Sequence, residues 1–183
     1  NYIEYCQKYD LVCNCAQTDV KGSRNPKYKR AHMQPDPDSF VHVVETDVDG
    51  IGTDGKPCKG IIVRGAKICN SNAPYVDEII VNPTKFMGPD DADYAVAFAL
   101  PGDWDGVKLM ALPGLHHKRT HIEAPFANIG DVESLTIFDD CFVPYDRVFM
   151  CGRDHEGVAR YAGYLALMFA HYHRHSYTGC KTA

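Results

Sequence analysis

A series of seven β-type segments between Phe40 and Met150 limits most strongly what this chain can fold into. Apolar and β-branched residues alternate there in the short runs FVHVVETDV, GIIVRGAKI, DEIIVNP, DYAVAFAL, GVKLMAL, ESLTIFD and DRVFM. Spacing this short between strand signals predicts a closed or nearly closed antiparallel β-barrel or sandwich. Turn signals separate the runs at Asp49-Gly50, Asp54-Gly55, Pro101-Gly102 and Asp105-Gly106.

The segments on either side of this β-region have different patterns. Residues 1–10 have the apolar spacing of a helix, and the polar run LVCNCAQTDVKGSRNP that follows predicts a loop. After Gly157, VARYAGYLALMFAHYHRHSYTGCK is apolar almost all round, as in a helix buried in a larger assembly. We therefore expect a mixed α and β chain: residues 1–30 as the end of an N-terminal helical domain with a loop, 31–153 as the β-domain, and 154–183 as the truncated start of a C-terminal helical domain.

Composition excludes several classes of protein. A net charge of -5 offers no excess of positive charge for a nucleic-acid backbone. No apolar run reaches the roughly 18 residues of a membrane helix, and no secretory leader is present, so we expect a cytoplasmic protein. No Gly-rich dinucleotide-binding or phosphate-loop motif occurs. The chain begins with Asn1 rather than Met, and we expect it to be an internal piece of a longer protein.

The eight cysteines do not form the compact framework of a small secreted disulfide protein. We expect reduced and mostly buried thiols. Cys13 and Cys15 are too close in sequence for a metal knuckle, and we interpret them as structural thiols rather than ligands.

The C-terminal segment HRHSYTGCK contains several side chains that could bind a metal or take part in catalysis. On a helix of about 3.6 residues per turn, His173, Tyr177 and Cys180 return to nearly one face, and both ends of that face could reach a bound metal cluster. A His and a Cys on an apolar helical face are, however, more often packed core residues. His171 and His175 also compete with His173, and spacing alone does not choose among them.

Four segments carry a resemblance to a known family. GIIVRGAKICNSNAPYVDEIIVNPT, DYAVAFALP, IFDDCFVPYDRVFMCG and TDVKGSR resemble the flavoprotein family that contains 4-hydroxyphenylacetate 3-monooxygenase and 4-hydroxybutyryl-CoA dehydratase. YHRHSYTGCK resembles the segment of the dehydratase branch in which a His and a Cys seven residues apart ligate a four-iron, four-sulfur cluster. The monooxygenases have no such cluster. The resemblance implies an acyl-CoA dehydrogenase-like fold with a central β-domain.

The resemblance also implies roles for individual residues. His173 and Cys180 correspond to two cluster ligands, the other two ligands lying outside this chain, and His173, Glu133, Tyr177 and Lys181 correspond to catalytic residues. Ser71 replaces the usual Thr of the family and keeps its hydroxyl. The positions implied to contact FAD are Gln17, Thr18, Asp19, Ser23, Arg24, Asn25 and Pro26 in a first loop, and Cys69, Asn70, Ser71 and Asn72 in a second turn.

The implied activity is dehydration of 4-hydroxybutyryl-CoA to crotonyl-CoA by a flavin radical mechanism, with isomerisation of vinylacetyl-CoA as a related reaction. The expected partners are an acyl-CoA substrate and three further copies of the intact chain in a homotetramer. Two alternatives stay open. An FAD-dependent aromatic monooxygenase would contain no iron, and a non-catalytic β-domain would retain no flavin.

Overall fold

Alternating apolar side chains along the strands give the β-region two faces, and the computed structural model shows how those faces are covered. The structure describes residues 1–20, 22, 36–84, 87–112, 132–154, 158–162 and 164–165. The chain is mixed α and β and mostly β, with its described strands in two four-stranded sheets. The elements in chain order are α1 (Tyr2–Tyr9), β1 (Cys13–Ala16), β2 (His42–Ile51), β3 (Pro57–Lys67), β4 (Glu78–Val81), β5 (Val96–Pro101), β6 (Val107–Ala111), β7 (Ser134–Pro144) and β8 (Val148–Cys151).

The two sheets have the strand orders β1-β4-β5-β8 and β2-β3-β7-β6. Neighbouring strands are antiparallel, except that β1 pairs with β4 in parallel. The predicted mixed fold is thus confirmed, but the closed or nearly closed barrel is wrong for the described strands. They divide into two separate sheets because the hydrogen-bonded ladders link each strand only within its own set of four.

The main core lies between the sheets, as in a β-sandwich. Val63 and Phe138 from one sheet are buried in the same cluster as Val81, Phe98 and Leu100 from the other. Phe98 and Phe138 meet edge to face, with ring centroids 5.3 Å apart. This packing joins the two sheets into one body.

All seven predicted strand segments are strands in the structure, whereas the turn predictions are mixed. Asp54-Gly55 forms the tip between β2 and β3, where Gly55 has a φ of 76°. Asp49-Gly50 is not a turn, because both residues lie within β2. The ring of Phe142 lies 2.5 Å from where a Cβ of Gly50 would be, so glycine is needed there for close packing.

The segment before the β-region matches the prediction in its helix and differs from it in one strand. α1 confirms the predicted helix, with the Asn1 side chain accepting from the Ile3 amide at 3.0 Å. β1 lies in the segment that we predicted as a loop. Four residues with two cysteines and an asparagine have no strong strand signal, and β1 is fixed by its distant partner β4.

The cysteines are less buried than predicted. Cys141 and Cys151 are buried, and burial raises the pKa of Cys141 to about 12. Cys13, Cys15 and Cys69 are exposed, so the expectation of mostly buried thiols is wrong for the described residues. None of the helices in the described ranges is long and apolar enough to cross a membrane.

A buried ion pair connects β4 to the turn before β8 in the first sheet. Arg147, 5% exposed, donates to both carboxylate oxygens of Glu78, 2% exposed, at 2.9 and 3.0 Å. The guanidinium also lies 4.5 Å from the ring centroid of Tyr5 on α1. The pair therefore holds α1, β4 and the turn before β8 together.

We expect Arg147→Met to lower the free energy of unfolding by about 3–5 kcal/mol, because Glu78 would remain buried without its cation. The double variant Arg147→Met, Glu78→Gln should recover part of that loss. Urea unfolding of the two variants and the parent measures both effects.

The matched control is Arg64→Met, which breaks surface pairs with Asp140 and Asp38 at an arginine side chain that is 36% exposed. It should cost at most about 1 kcal/mol. Equal losses for the two arginines would contradict the importance of the buried pair.

Candidate functional site

The loop that leaves β1 is attached to the end of β3. The carbonyl of Thr18 accepts from the backbone N–H of Ile68 at 2.8 Å, and Asp19 forms a bridge with Lys67. Gln17 and Asp19 are partly buried and Thr18 is exposed. The loop thus lies directly beside the turn that begins at Cys69.

The ammonium group of Lys67 holds this loop against the end of β3. Its side chain is only 3% exposed, and Nζ donates to Asp19 Oδ1 at 2.6 Å, to the Gln17 carbonyl at 3.1 Å and to the Asn82 carbonyl at 2.8 Å. The hydroxyl of Thr84 donates to the other oxygen of Asp19. A buried carboxylate is stable only with such partners, so the position of the loop depends on Lys67.

The turn over residues 69–72 follows β3 and is held by its own polar side chains. Cys69 and Asn72 have φ values of 54° and 61°, the left-handed conformation that Asn tolerates more readily than Cys. Asn70 is 1% exposed, and its amide group donates to the Thr136 hydroxyl at 2.8 Å. The hydroxyl of Ser134 donates to the Asn70 carbonyl at 2.9 Å. These bonds fix the turn to the start of β7.

Glu133 joins this turn, although it lies far away in sequence. The hydroxyl of Ser71 donates to Glu133 Oε1 at 2.5 Å, and the N–H of Asn72 donates to the Val132 carbonyl at 2.7 Å. From the other side, the amide group of Asn14 on β1 donates to the Ser71 carbonyl. The structure therefore brings Glu133 and Asn14, a residue that we did not predict, to the 69–72 turn, which lies beside residues 17–19 of the first predicted loop.

Three side-chain oxygens in this region have unmet hydrogen-bonding capacity. Asn14 Oδ1, Asn70 Oδ1 and Glu133 Oε2 are buried and have no hydrogen-bond partner within the described part of the chain. Buried acceptors are usually paired, and all three lie on residues of the 69–72 turn or in contact with it. A flavin ring has an N–H donor between two carbonyl acceptors, and the Ser71 hydroxyl can both donate and accept. The unmet acceptors of the turn suit the N–H of such a ring, whereas its two carbonyls require donors other than the Ser71 hydroxyl, which already donates to Glu133.

The remaining predicted site residues lie outside the described residues. Nothing in the described ranges groups three or more His, Cys, Asp or Glu side chains as a metal site would need. The predictions outside these ranges concern Ser23, Arg24, Asn25 and Pro26 for FAD, and His173, Tyr177, Cys180 and Lys181 for the cluster and catalysis.

Lys67 is the main residue that the sequence prediction missed, although a signal for it exists. Residues Ile61, Val63, Gly65 and Lys67 alternate along β3 and are all buried. Because side chains alternate between the two faces of a strand, Lys67 lies on the same buried face as Ile61. A buried lysine needs a carboxylate partner.

We expect Lys67→Met to detach the loop from β3, because Asp19 and two carbonyls would lose their donor. The Ile68 amide, which donates to Thr18, should then exchange with solvent about 10–100 times faster. Hydrogen exchange followed by mass spectrometry or NMR measures this.

Lys59→Met is the matched control, since it breaks a pair with Asp49 whose side chains are 54% and 87% exposed. It should leave exchange at Ile68 unchanged. Unchanged exchange at Ile68 in Lys67→Met itself would show that Lys67 does not fix the loop.

Comparison with known proteins gives relatives in two branches. The 4-hydroxybutyryl-CoA dehydratase/vinylacetyl-CoA-Delta-isomerase of Clostridium aminobutyricum is 37% identical over 98% of this chain and 34% of its own length. The solved structure of an oxygen-tolerant archaeal 4-hydroxybutyryl-CoA dehydratase from N. maritimus superimposes with a TM-score of 0.76 at 32% identity, over 96% of this chain and 32% of that one.

The second branch is represented by the oxygenase component of 4-hydroxyphenylacetate 3-monooxygenase complexed with FAD. That structure has a TM-score of 0.67 and 29% identity, over 88% of this chain and 31% of its own. The chain spans about a third of the length of the relatives it matches.

The family model described as 4-hydroxyphenylacetate 3-hydroxylase N terminal matches residues 1–150. This match covers both predicted flavin loops, Glu133 and every described strand except the last residue of β8. The resemblance inferred from the sequence is confirmed, and the chain belongs to the 4-hydroxyphenylacetate 3-hydroxylase N-terminal family.

Proposed function

We propose that this chain is the flavin-facing part of an enzyme that dehydrates 4-hydroxybutyryl-CoA to crotonyl-CoA and isomerises vinylacetyl-CoA. The observation that carries the proposal is the convergence of the 17–19 loop, the 69–72 turn and Glu133 at the end of β3. The similarity to two dehydratases over nearly the whole chain favours this substrate class.

FAD is the proposed cofactor, since a related structure is complexed with it. Ser71 would meet the ring edge, and the partnerless oxygens of Asn14 and Asn70 would accept from it. Gln17, Thr18 and Asp19 would line the ring from the Lys67 side, and Arg24 would offer a cation to the diphosphate. The other proposed contacts are Cys69, Asn72, Ser23, Asn25 and Pro26. When bound, the flavin supplies the one-electron chemistry that an unactivated C–H bond requires.

A four-iron, four-sulfur cluster is the second proposed cofactor, with His173 and Cys180 as two of its four ligands. The support is their spacing of seven residues in a helical pattern and the similarity of YHRHSYTGCK to the dehydratase segment. The other two ligands would come from outside this chain. Tyr177 and Lys181 would lie beside the substrate.

Glu133 is the proposed proton-handling group of the β-domain. One of its oxygens is held by the Ser71 hydroxyl, and the other, Oε2, is buried and has no partner among the described residues, so it can take up a proton. Tyr177 and His173 would move further protons, and Lys181 would orient the substrate. The intact protein would act as a homotetramer in the cytoplasm, with its C-terminal helical domain starting near residue 154.

An FAD-dependent aromatic monooxygenase is the second candidate. It is favoured by the family model and by the oxygenase component with its TM-score of 0.67. The two candidates share the β-domain, and iron separates them. A non-catalytic β-domain would bind neither flavin nor iron.

The first experiment is anaerobic expression of the full-length parent protein, with measurement of flavin, iron and acid-labile sulfide per subunit. We expect one FAD and about four irons per subunit, with a visible spectrum that bleaches in air. Turnover of 4-hydroxybutyryl-CoA to crotonyl-CoA completes the test. Flavin without iron would move the protein to the monooxygenase branch, and absence of flavin would contradict both enzymatic candidates.

Variants of the full-length parent test the residue roles. Ser71→Ala should weaken FAD binding about 5–100-fold through loss of a hydrogen bond, and Glu133→Gln should lower turnover about 10²–10⁴-fold with FAD retained. Ser39→Ala, in the turn before β2, is the control for Ser71.

His173→Gln should lower both iron content and turnover, whereas His175→Gln should affect neither, because positions two residues apart diverge on a helix. Retention of full iron content and activity in His173→Gln would remove that residue from the site.

A further inference from the structure

Two thiols lie in contact where α1 meets β1. Cys6 Sγ and Cys13 Sγ are 3.8 Å apart, at the distance where two sulfur atoms touch without a bond. Cys13 is exposed and Cys6 is partly exposed, so both can be reached from solvent. Neither residue belongs to the loops that we propose to contact flavin.

The backbone between the two cysteines explains why they meet. α1 ends at Asp10 in the left-handed conformation, with a φ of 53°. The N–H of Leu11 then donates back to the Cys6 carbonyl at 3.0 Å. This helix-ending turn reverses the chain, and Val12 is fixed next to β4 by a bond from its N–H to Asp77 Oδ2 at 2.8 Å. The contact between the thiols is therefore built into the fold.

The surroundings of Cys13 favour its protonated thiol form. The hydroxyl of Tyr2 lies 4.0 Å from Cys13 Sγ and donates to Glu78 at 3.4 Å. Partial desolvation of the Cys13 sulfur, although the residue as a whole is exposed, raises its pKa to about 11 together with the hydrogen bond to Cys6. No third ligand for a metal ion joins the pair within the described residues. Two thiols in contact can form a disulfide by exchange with a disulfide oxidant.

We propose that Cys6 and Cys13 form a thiol–disulfide modification site, oxidised by small-molecule disulfides of the glutathione type. One thiolate attacks the oxidant, forming a mixed disulfide and releasing one glutathione thiol. The second cysteine then attacks the mixed disulfide, which forms the Cys6–Cys13 bond and releases a second thiol. The protein loses two electrons and two protons, and the oxidant gains them as two thiols.

The bond would fasten α1 to β1 at the edge of the first sheet. Closing the gap from 3.8 Å to the roughly 2.05 Å of an S–S bond requires a small approach of the two side chains. The sulfur that contacts Cys6 is that of Cys13, whereas the Cys15 sulfur contacts Asn82 Nδ2 at 3.5 Å. Cys13 is therefore the partner that the structure favours.

The test is equilibration of the full chain in glutathione buffers of increasing oxidised fraction, followed by acid quenching, alkylation and tryptic digestion. Trypsin cleaves after Lys8, between the two cysteines, so the disulfide joins two peptides that otherwise separate. We expect the joined pair to appear as the oxidised fraction rises and to disappear after reduction. Fragmentation of the joined pair identifies Cys13 rather than Cys15.

The variants Cys6→Ser and Cys13→Ser should each abolish the joined pair, and the matched control Cys15→Ser should retain it. Near-UV and far-UV circular dichroism checks that each variant is folded. Three results would overturn the proposal: no joined pair in the wild-type chain at any buffer composition, linkage through Cys15, or glutathione attached separately to Cys6 and Cys13.

Discussion

The candidate site depends on one buried ion pair, between Lys67 and Asp19. Lys67 ends β3, and its ammonium group holds Asp19, the Gln17 carbonyl and the Asn82 carbonyl together. Two of these acceptors belong to the loop after β1 and the third follows β4, so a single cation sets the distance between that loop and the end of β4. With 3% and 9% of their side chains exposed, neither ion is stable without the other. The arrangement therefore has one preferred geometry, which a site for a rigid ring requires.

The sequence was sufficient to predict the strands from Phe40 onward, and insufficient to predict β1 or the partner of each strand. Alternation along each segment is a local property, which is why all seven segments between Phe40 and Met150 were found. The division into two sheets, and the parallel pairing of β1 with β4, depend on contacts between residues far apart in sequence. The turn predicted at Asp49-Gly50 was wrong for the same reason. Glycine is needed at position 50 because the ring of Phe142, distant in sequence, packs against it, and not because the chain reverses there.

The site residues were predicted from the resemblance to the flavoprotein family, because the periodicity of the sequence does not identify them. Glu133 at the edge of a strand is unremarkable in sequence, yet its carboxylate meets the Ser71 hydroxyl across the start of β7. Asn14 was missed because nothing in a four-residue strand indicates that its amide group reaches the Ser71 carbonyl. Lys67 could have been found, because the alternation of β3 places a charged residue among buried ones. The predicted cluster ligands His173 and Cys180 lie outside the described residues and remain predictions.

The parallel pairing of β1 with β4 has a consequence for the order of events during folding. Val12 contacts Asp77, which is 65 residues further along the chain, and β4 is the partner of β1 among the described strands, so this pairing waits until β4 has been synthesised. Closing so long a loop is slow compared with forming the local hairpin of β2 and β3. The hairpin can therefore form early, while the loop that carries Gln17 and Asp19 is positioned late. A nascent chain would position the loop that we propose to contact FAD only after β4 has been synthesised, when the hairpin beside that loop can already be formed.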